Sequence, residues 1–252
     1  AGILALQGKP FLTEDAKISY SQTGGNQNPL NAEMIGLGGT QNLVASATCV
    51  NAMKALKDPR EIVFYRRVPA TGIVTPVPQG SFNTTPTVTI STPSYVVGAR
   101  ANDPLSALAP VKFISAAESY FLQAEAVVRG YLTGDARTLY QEGIAASFAS
   151  YEIDPGTYIT DVVAAWPAAT EQQIIAIITQ KYFAMCGNQG FEAWTEWRRT
   201  GYPTFFVRSQ ASVLGAGIFP QRMLYPNTEI TRNSNFPGLK TVTVKMWWDA
   251  KD

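Results

Sequence analysis

Ile114-Ser-Ala-Ala-Glu-Ser-Tyr-Phe-Leu-Gln-Ala-Glu-Ala126, continued by Gly134-Asp135 and by Leu139-Tyr-Gln-Glu-Gly-Ile144, is the stretch that decides the fold. Ser115 and Glu118 have the form of a capping box, in which a hydroxyl and a carboxylate satisfy orphan N–H groups at a helix start. The spacing predicts a helix from there to about Tyr131, with Tyr120, Ala124, Val127 and Tyr131 on one face. Gly134-Asp135 makes a turn, and a second helix runs through Leu139, Tyr140, Ile144, Ser147, Phe148 and Tyr151. Two antiparallel helices joined in this way form a tetratricopeptide-like hairpin, present here as one clear copy.

Downstream, Thr170 and Gln173 form a second candidate capping box. Residues 174–185 are apolar nearly all round, which predicts a central, buried helix. Gly187 supplies its C′ position, and residues 191–200 read as a short helix stopped by Gly201 and Tyr202-Pro203. Upstream, residues 1–39 are Gly- and Asn-rich with few periodic apolar positions, and Gly24-Gly25 and Gly38-Gly39 read as loops. One helix is expected over about 40–57, with Leu43, Ala47, Val50 and Met53 near one stripe, ended by Asp58-Pro59-Arg60. Residues 61–68 and 87–91 read as short strands, and the chain after Gly217 as extended or looped.

The predicted fold class is therefore mainly α: tetratricopeptide-like helix hairpins with a loop-rich part containing short β-strands. Residues 1–252 divide into a loop-rich region with one helix and short strands (1–113), a helical hairpin and central helices (114–203) and an extended C-terminal region (204–252).

The chain contains no histidine. That excludes Ser-His-Asp and Cys-His catalysis, His-ligated metals and an imidazole general base. Twenty Lys and Arg against 19 Asp and Glu leave a net charge of +1, which gives no electrostatic footprint for nucleic acid. Charged residues make up 15%, below the roughly 25% of ordinary soluble domains, while 46% hydrophobic residues suffice for a sizeable core. Residues 68–99 carry no charge at all, but Pro69, Pro76, Pro78, Pro86 and Pro93 rule out a membrane span. Cys49 and Cys186 belong to no CxxC pair and read as ordinary buried thiols, with a disulfide between them possible but not indicated. The start lacks an initiator Met, and its apolar run is too short for a signal peptide, so the chain reads as processed or truncated.

Paired carboxylates are the general acid/base machinery this composition leaves. Glu192 and Glu196 lie at i,i+4 and could approach the separations that glycoside hydrolysis uses. The structural reading is a polar helix face with Glu196 and Arg199 paired at i,i+3. Gly36-Leu37-Gly38-Gly39 lacks the spacing of a phosphate loop, and no oxygen-ligand loop for a metal is present, so no cofactor or metal is expected. Trp194 and Trp197, three apart on an amphipathic helix, read as core. Phe82 and Tyr95 lie in the uncharged segment, where Asn83, Thr84 and Thr85 add amide and hydroxyl groups. That combination suits a sugar, whose ring has an apolar face and a hydroxyl rim.

Taken together, these blocks resemble the SusD/RagB family. The resemblance rests on the hairpin stretch, Arg129-Gly130, Lys181-Tyr182 and Gln189-Gly-Phe-Glu-Ala-Trp-Thr-Glu-Trp-Arg-Arg-Thr-Gly-Tyr-Pro203. It extends to Pro220-Gln-Arg222, Tyr225-Pro226, Asn233, Trp247-Trp248-Asp249 and, mid-chain, Asp58-Pro59-Arg60. It implies a non-enzymatic glycan-binding lipoprotein on the outer face of the outer membrane, which passes oligosaccharide to a SusC-type TonB-dependent transporter. Family members run to about twice this length, so it also implies that 1–252 is the C-terminal part of a single SusD-like domain: either a fragment, with the lipid anchor and the earlier helix pairs in a missing N-terminal half, or a shortened member whose partner surface is incomplete. Part of the family's sugar surface lies before the helix pair, here about 65–100. The glycan candidates are therefore Tyr65, Phe82, Asn83 and Tyr95. Two other readings stand beside this one: a glycoside hydrolase using Glu192 or Glu196, and a helical-repeat adaptor that binds only protein.

Overall fold

Asn28-Pro29 starts the first helix, α1 (Pro29–Gly36), of the computed structural model, which describes residues 2–81, 88–215 and 217–249. The Asn28 side chain accepts from the N–H groups of Leu30 and Asn31, and proline in the first turn needs no donor. No helix is predicted within residues 1–39, yet one forms between the glycine loops at 24–25 and 38–39, its cap written in two residues.

The next helix, α2 (Ala47–Ala55), begins well inside the predicted span of 40–57. The backbone just before it is engaged elsewhere: the N–H of Ala45 donates to Ser91 and that of Val77 to Ala45. Leu43, predicted on the buried stripe, stays exposed. Asp58-Pro59-Arg60 does end the helix, but the strand predicted over 61–68 does not form. Residues Glu61–Phe64 make one helical turn, α3, and only then does the chain extend, with Tyr65 bridged to Pro93. Of the predicted strand at 87–91, Thr87 lies outside the described residues. The remainder forms no strand: Ser91 spends its backbone on Ala45 and Thr75.

A two-stranded antiparallel sheet joins β1 (Ala16–Ile18) to β2 (Val111–Ile114). A buried ion pair, Lys112 Nζ to Asp15 at 3.1 Å, sets its position. Asp15 also accepts from the Ala116 N–H at 3.0 Å and the Ser150 hydroxyl at 2.6 Å, so the sheet is tied to the helices behind it.

Those helices are α4 (Ala116–Val128), α5 (Ala136–Ala149), α6 (Tyr158–Ala164), α7 (Thr170–Ala184), α8 (Gly190–Thr200) and the short α9 (Asn227–Arg232). Ser115 caps α4 as predicted, its Oγ accepting from the Glu118 N–H at 3.0 Å. The Glu118 carboxylate does not return to the cap; it takes a hydrogen bond from Gln189 at 2.6 Å. At α7 no side chain caps the start, and Gln173 instead donates to the Pro167 carbonyl. The predicted hairpin is present, with α4 packed along α5 and α7. Of the predicted face of α4, Ala124 is buried and Tyr131 is exposed; Ala117 and Phe121, outside that prediction, complete the inward side. Burial of α7 follows the prediction, with Ile174, Ile177, Ile178, Phe183 and Ala184 all enclosed.

Gly143 explains how close α4 and α5 come. A Cβ there would lie 2.7 Å from the ring of Phe121, which is fully buried. Helix propensity alone favours alanine over glycine by roughly 1 kcal/mol. Overpacking a rigid core costs about 1–3 kcal/mol, so sterics win here.

Arg60 is completely buried. Its guanidinium pairs with Asp58 at 2.6 Å, donates to Ser147 of α5 at 2.9 Å and to Gln180 of α7 at 2.6 Å, and lies 4.9 Å from the ring centre of Phe148. Tyr158 of α6 closes the ring of contacts, donating to Asp58 at 2.8 Å and accepting from Gln180 at 2.8 Å. Burial works against the charge, but Asp58 more than offsets it and holds the guanidinium pKa above its ordinary value.

Gly143→Ala is expected to lower stability despite its better helix propensity, and Phe121→Leu in the same chain should restore part of the loss; urea unfolding reads both. Arg60→Leu strands the Asp58 carboxylate in the core and should cost about 3–5 kcal/mol in the same assay.

Candidate functional site

A cleft of about 790 Å³ opens between the start of α2, the end of α7, the face of α8 and the segment 206–220. That volume falls within the range of about 300–1,000 Å³ usual for ligand pockets. Gly187 makes the turn between α7 and α8 possible, as its spacing predicts. It adopts φ +75°, and a Cβ there would lie 2.3 Å from Val97. The turn places Cys186 and Gly187 on the cleft floor and α8 on its wall. On the far side, the Gln210 N–H donates to Gln79, and Arg208 hydrogen-bonds to the carbonyls of Leu214 and Gly215, which folds the 206–215 segment over the opening.

Aromatic rings dominate the lining: Tyr65, Tyr182, Trp194, Trp197, Phe206 and Phe219. Trp197 is 5.0 Å from Phe219 and 5.8 Å from Phe206 between ring centres, and Tyr182 is 5.1 Å from Phe206. Trp194 and Trp197 are therefore not the enclosed core residues that their spacing predicts; both are half-buried and line the cleft. The reason lies in α8, which turns Ala193 and Thr200 inward and leaves the adjacent stripe facing the opening. The polar lining comes from Ser46, Thr48, Gln79, Ser209 and Ser212, with Arg208 the one charged side chain and no carboxylate among the described lining residues. The Ser46 hydroxyl has no hydrogen-bond partner. A second hollow of about 820 Å³ shares Thr48, Gln79, Val207 and Arg208 with the first, so the two form neighbouring compartments.

The four sugar candidates do not fall together. Tyr65 lines the cleft, half-buried, its hydroxyl 3.6 Å from Cys186 Sγ. Burial and the neighbouring thiols push the phenol pKa up, so it stays protonated. Tyr95 is exposed and lines a different hollow of about 620 Å³ together with Arg66, Arg67 and Asp103. Phe82 and Asn83 lie outside the described residues. The readable signal for this wall is the crowding of tryptophan toward the end of the chain, Trp194, Trp197, Trp247 and Trp248, against which the three-residue spacing points to core.

Glu192 is exposed on α8, and neither it nor Glu196 lines the cleft. Glu196 is held by buried Lys181 at 2.7 Å and by Arg199 at 2.5 Å, the i,i+3 pairing that the sequence predicts. Arg199 also grips Glu125 of α4 through two hydrogen bonds of 2.8 and 2.6 Å, so the cluster ties α4, α7 and α8 together. Burial raises the Glu196 pKa, but Arg199 and Lys181 outweigh it and bring the carboxyl down to about 2. Among the described residues no group of three Cys, Asp or Glu side chains could hold a metal ion.

A family described as starch-binding and associating with the outer membrane, SusD-like, matches residues 8–226. The fold is similar to that of a SusD homologue from Bacteroides fragilis, 24% identical with a TM-score of 0.65, over 94% of this chain and 57% of that one. It is likewise similar to a chitin-binding SusD homologue from Flavobacterium johnsoniae, 23% identical with a TM-score of 0.71, over 94% of this chain and 55% of that one. This chain thus spans little more than half the length of those structures. No curated protein matches it.

The ionised Glu196 is favoured by folding, because its pKa falls from 4.5 to about 2 in the native state. Its contribution is complete above the higher value and vanishes as pH drops through the lower. Urea midpoints of the parent should therefore fall across that window, and the fall should be shallower in Glu196→Gln.

Proposed function

This chain belongs to the SusD-like family, and we propose that it captures a neutral oligosaccharide at the outer membrane without breaking a bond in it. The observation that carries this reading is the cleft lining, six aromatic rings with hydroxyl and amide groups and no carboxylate among the described residues. Flat rings bury the C–H face of a sugar, and Ser, Thr and Gln groups meet its hydroxyl rim. Cleavage of a glycosidic bond takes two carboxyl groups placed across that bond. Glu192 and Glu196 lie off the cleft, and an ionised, ion-paired Glu196 is no proton donor. The adjoining hollow favours several linked sugars over a single ring.

A chitin-type oligosaccharide is the first ligand to test, supported by the chitin-binding neighbour, and a starch-type chain is the second, supported by the family description. Tyr65 belongs both to the cleft and to the segment 65–100 inferred from sequence. Phe82, Asn83 and Tyr95 are the further contacts proposed in that segment. Bound glycan would then pass to a SusC-type TonB-dependent transporter at the extracellular face, where a lipid anchor holds the full-length protein. No described helix is long and apolar enough to cross the membrane by itself.

Calorimetric titration with chitin- and starch-type oligosaccharides should give saturable binding with no new reducing ends. Removing a buried aromatic contact loses about 1.5–3 kcal/mol, so Trp197→Ala should weaken binding by at least about tenfold. Glu192→Gln should leave it unchanged. Release of reducing ends, or no binding to either series, would sink the reading.

A further inference from the structure

Two thiols meet at the floor of the cleft. Cys49 sits in the first turn of α2 and Cys186 just beyond α7, 137 positions apart in the chain, with their Sγ atoms 3.7 Å from each other. Cys49 is buried and Cys186 half-buried, and both line the cleft, which gives a small reagent a path to them. Nothing in the sequence pairs them; the fold does. We propose that Cys49 and Cys186 are a redox pair that closes into a disulfide across the cleft floor and joins α2 to the turn between α7 and α8.

The geometry leaves little to move. The sulfurs must approach from 3.7 Å to the roughly 2 Å of a covalent S–S bond, a shift within the reach of side-chain torsions. The Cys186 thiol, by hydrogen bonding, holds the Cys49 pKa below that of an ordinary thiol, against the opposing effect of burial. Both thiols line the cleft, so exchange can begin at either, for example at Cys49. Its thiolate attacks one sulfur of an external disulfide, a small-molecule or protein disulfide, and expels the other as a thiolate. Cys186, giving up its own proton, then attacks the Cys49 sulfur of the mixed disulfide and releases the second thiol. Two protein thiols are oxidised, one external disulfide is reduced to two thiols, and the two protons lost by the protein end on them.

The two surfaces joined are also the two sides of the cleft: Ser46 and Thr48 flank Cys49, and Trp194 and Trp197 follow Cys186 on α8. A covalent bond there fixes their separation. The biological setting rests on the outer-membrane location proposed above, where disulfides persist. The chemistry does not depend on that location, so the two can fail separately.

The test incubates the folded chain with oxidised glutathione, quenches it with acid, unfolds it and treats it with iodoacetamide before mass measurement. The expected product is two hydrogens lighter, takes no alkyl group, and yields one cross-linked peptide pair containing Cys49 and Cys186. Closing so long a loop should raise the thermal midpoint by about 10 °C over the reduced chain. Cys49→Ser and Cys186→Ser should each remove the cross-link and the rise in midpoint. Full alkylation of both thiols after oxidation of the folded chain, or a cross-link that forms only in urea or between chains, would overturn the proposal.

Discussion

One guanidinium, with no exposed surface, joins the turn after α2 to three helices of this protein at once. Arg60 comes from the turn after α2, yet its partners lie on α5, α6 and α7. Burying one charge in a core costs several kcal/mol unless it is paired and its donors are satisfied. Asp58, two residues earlier, supplies the pairing, and Ser147, Gln180 and Tyr158 complete the hydrogen bonding. The arrangement tolerates no sliding: moving α5 against α7 would leave a donor facing hydrocarbon. Apolar contacts hold the helices together, and Arg60 decides in which register they meet.

That register places α7, whose sides serve different ends. Gln180 faces the Arg60 centre, Lys181 reaches the acidic groups of α4 and α8, and Tyr182 turns to the cleft. Three consecutive residues thus connect the core, the ion-pair cluster and the binding surface. The position of α8, and with it Trp194 and Trp197, is set from behind by Glu196 and Arg199 rather than by burial of the tryptophans themselves. Arg198 lies between Trp194 and Trp248 and pairs with Asp249, which fastens the chain's last described residues to the same helix.

Of the helices from Ser115 onward, α4, α5, α7 and α8 could be read from sequence because local signals and tertiary packing agree there, whereas the short α6 and α9 could not. Ser115 caps, Gly187 turns, and the apolar surround of residues 174–185 has the burial it announces. The loop-rich part is less legible because distant partners override its local pattern: Ala45 pairs with both Val77 and Ser91 instead of extending a helix. Residues 61–68, rich in β-branched and aromatic side chains, look like a strand, yet the turn set by Asp58 and Arg60 winds their first half into α3. Asn28-Pro29 was a legible signal obscured by the glycines around it. The site was the least legible. Its aromatic wall lies on a helix whose spacing looks like core packing, and its floor joins residues from opposite halves of the chain. Only the assembled fold shows that Cys49 and Cys186 are neighbours.

The contact between Gly143 and Phe121 has a consequence for how sequences of this fold can change. With no room for a methyl group at residue 143, a larger side chain there is admissible only alongside a smaller one at residue 121. The first of the two changes, taken alone, leaves either a clash or a void in a close-packed interior. Descendants of this chain should therefore cross between the two solutions together, so the pair would drift through evolutionary time as one unit.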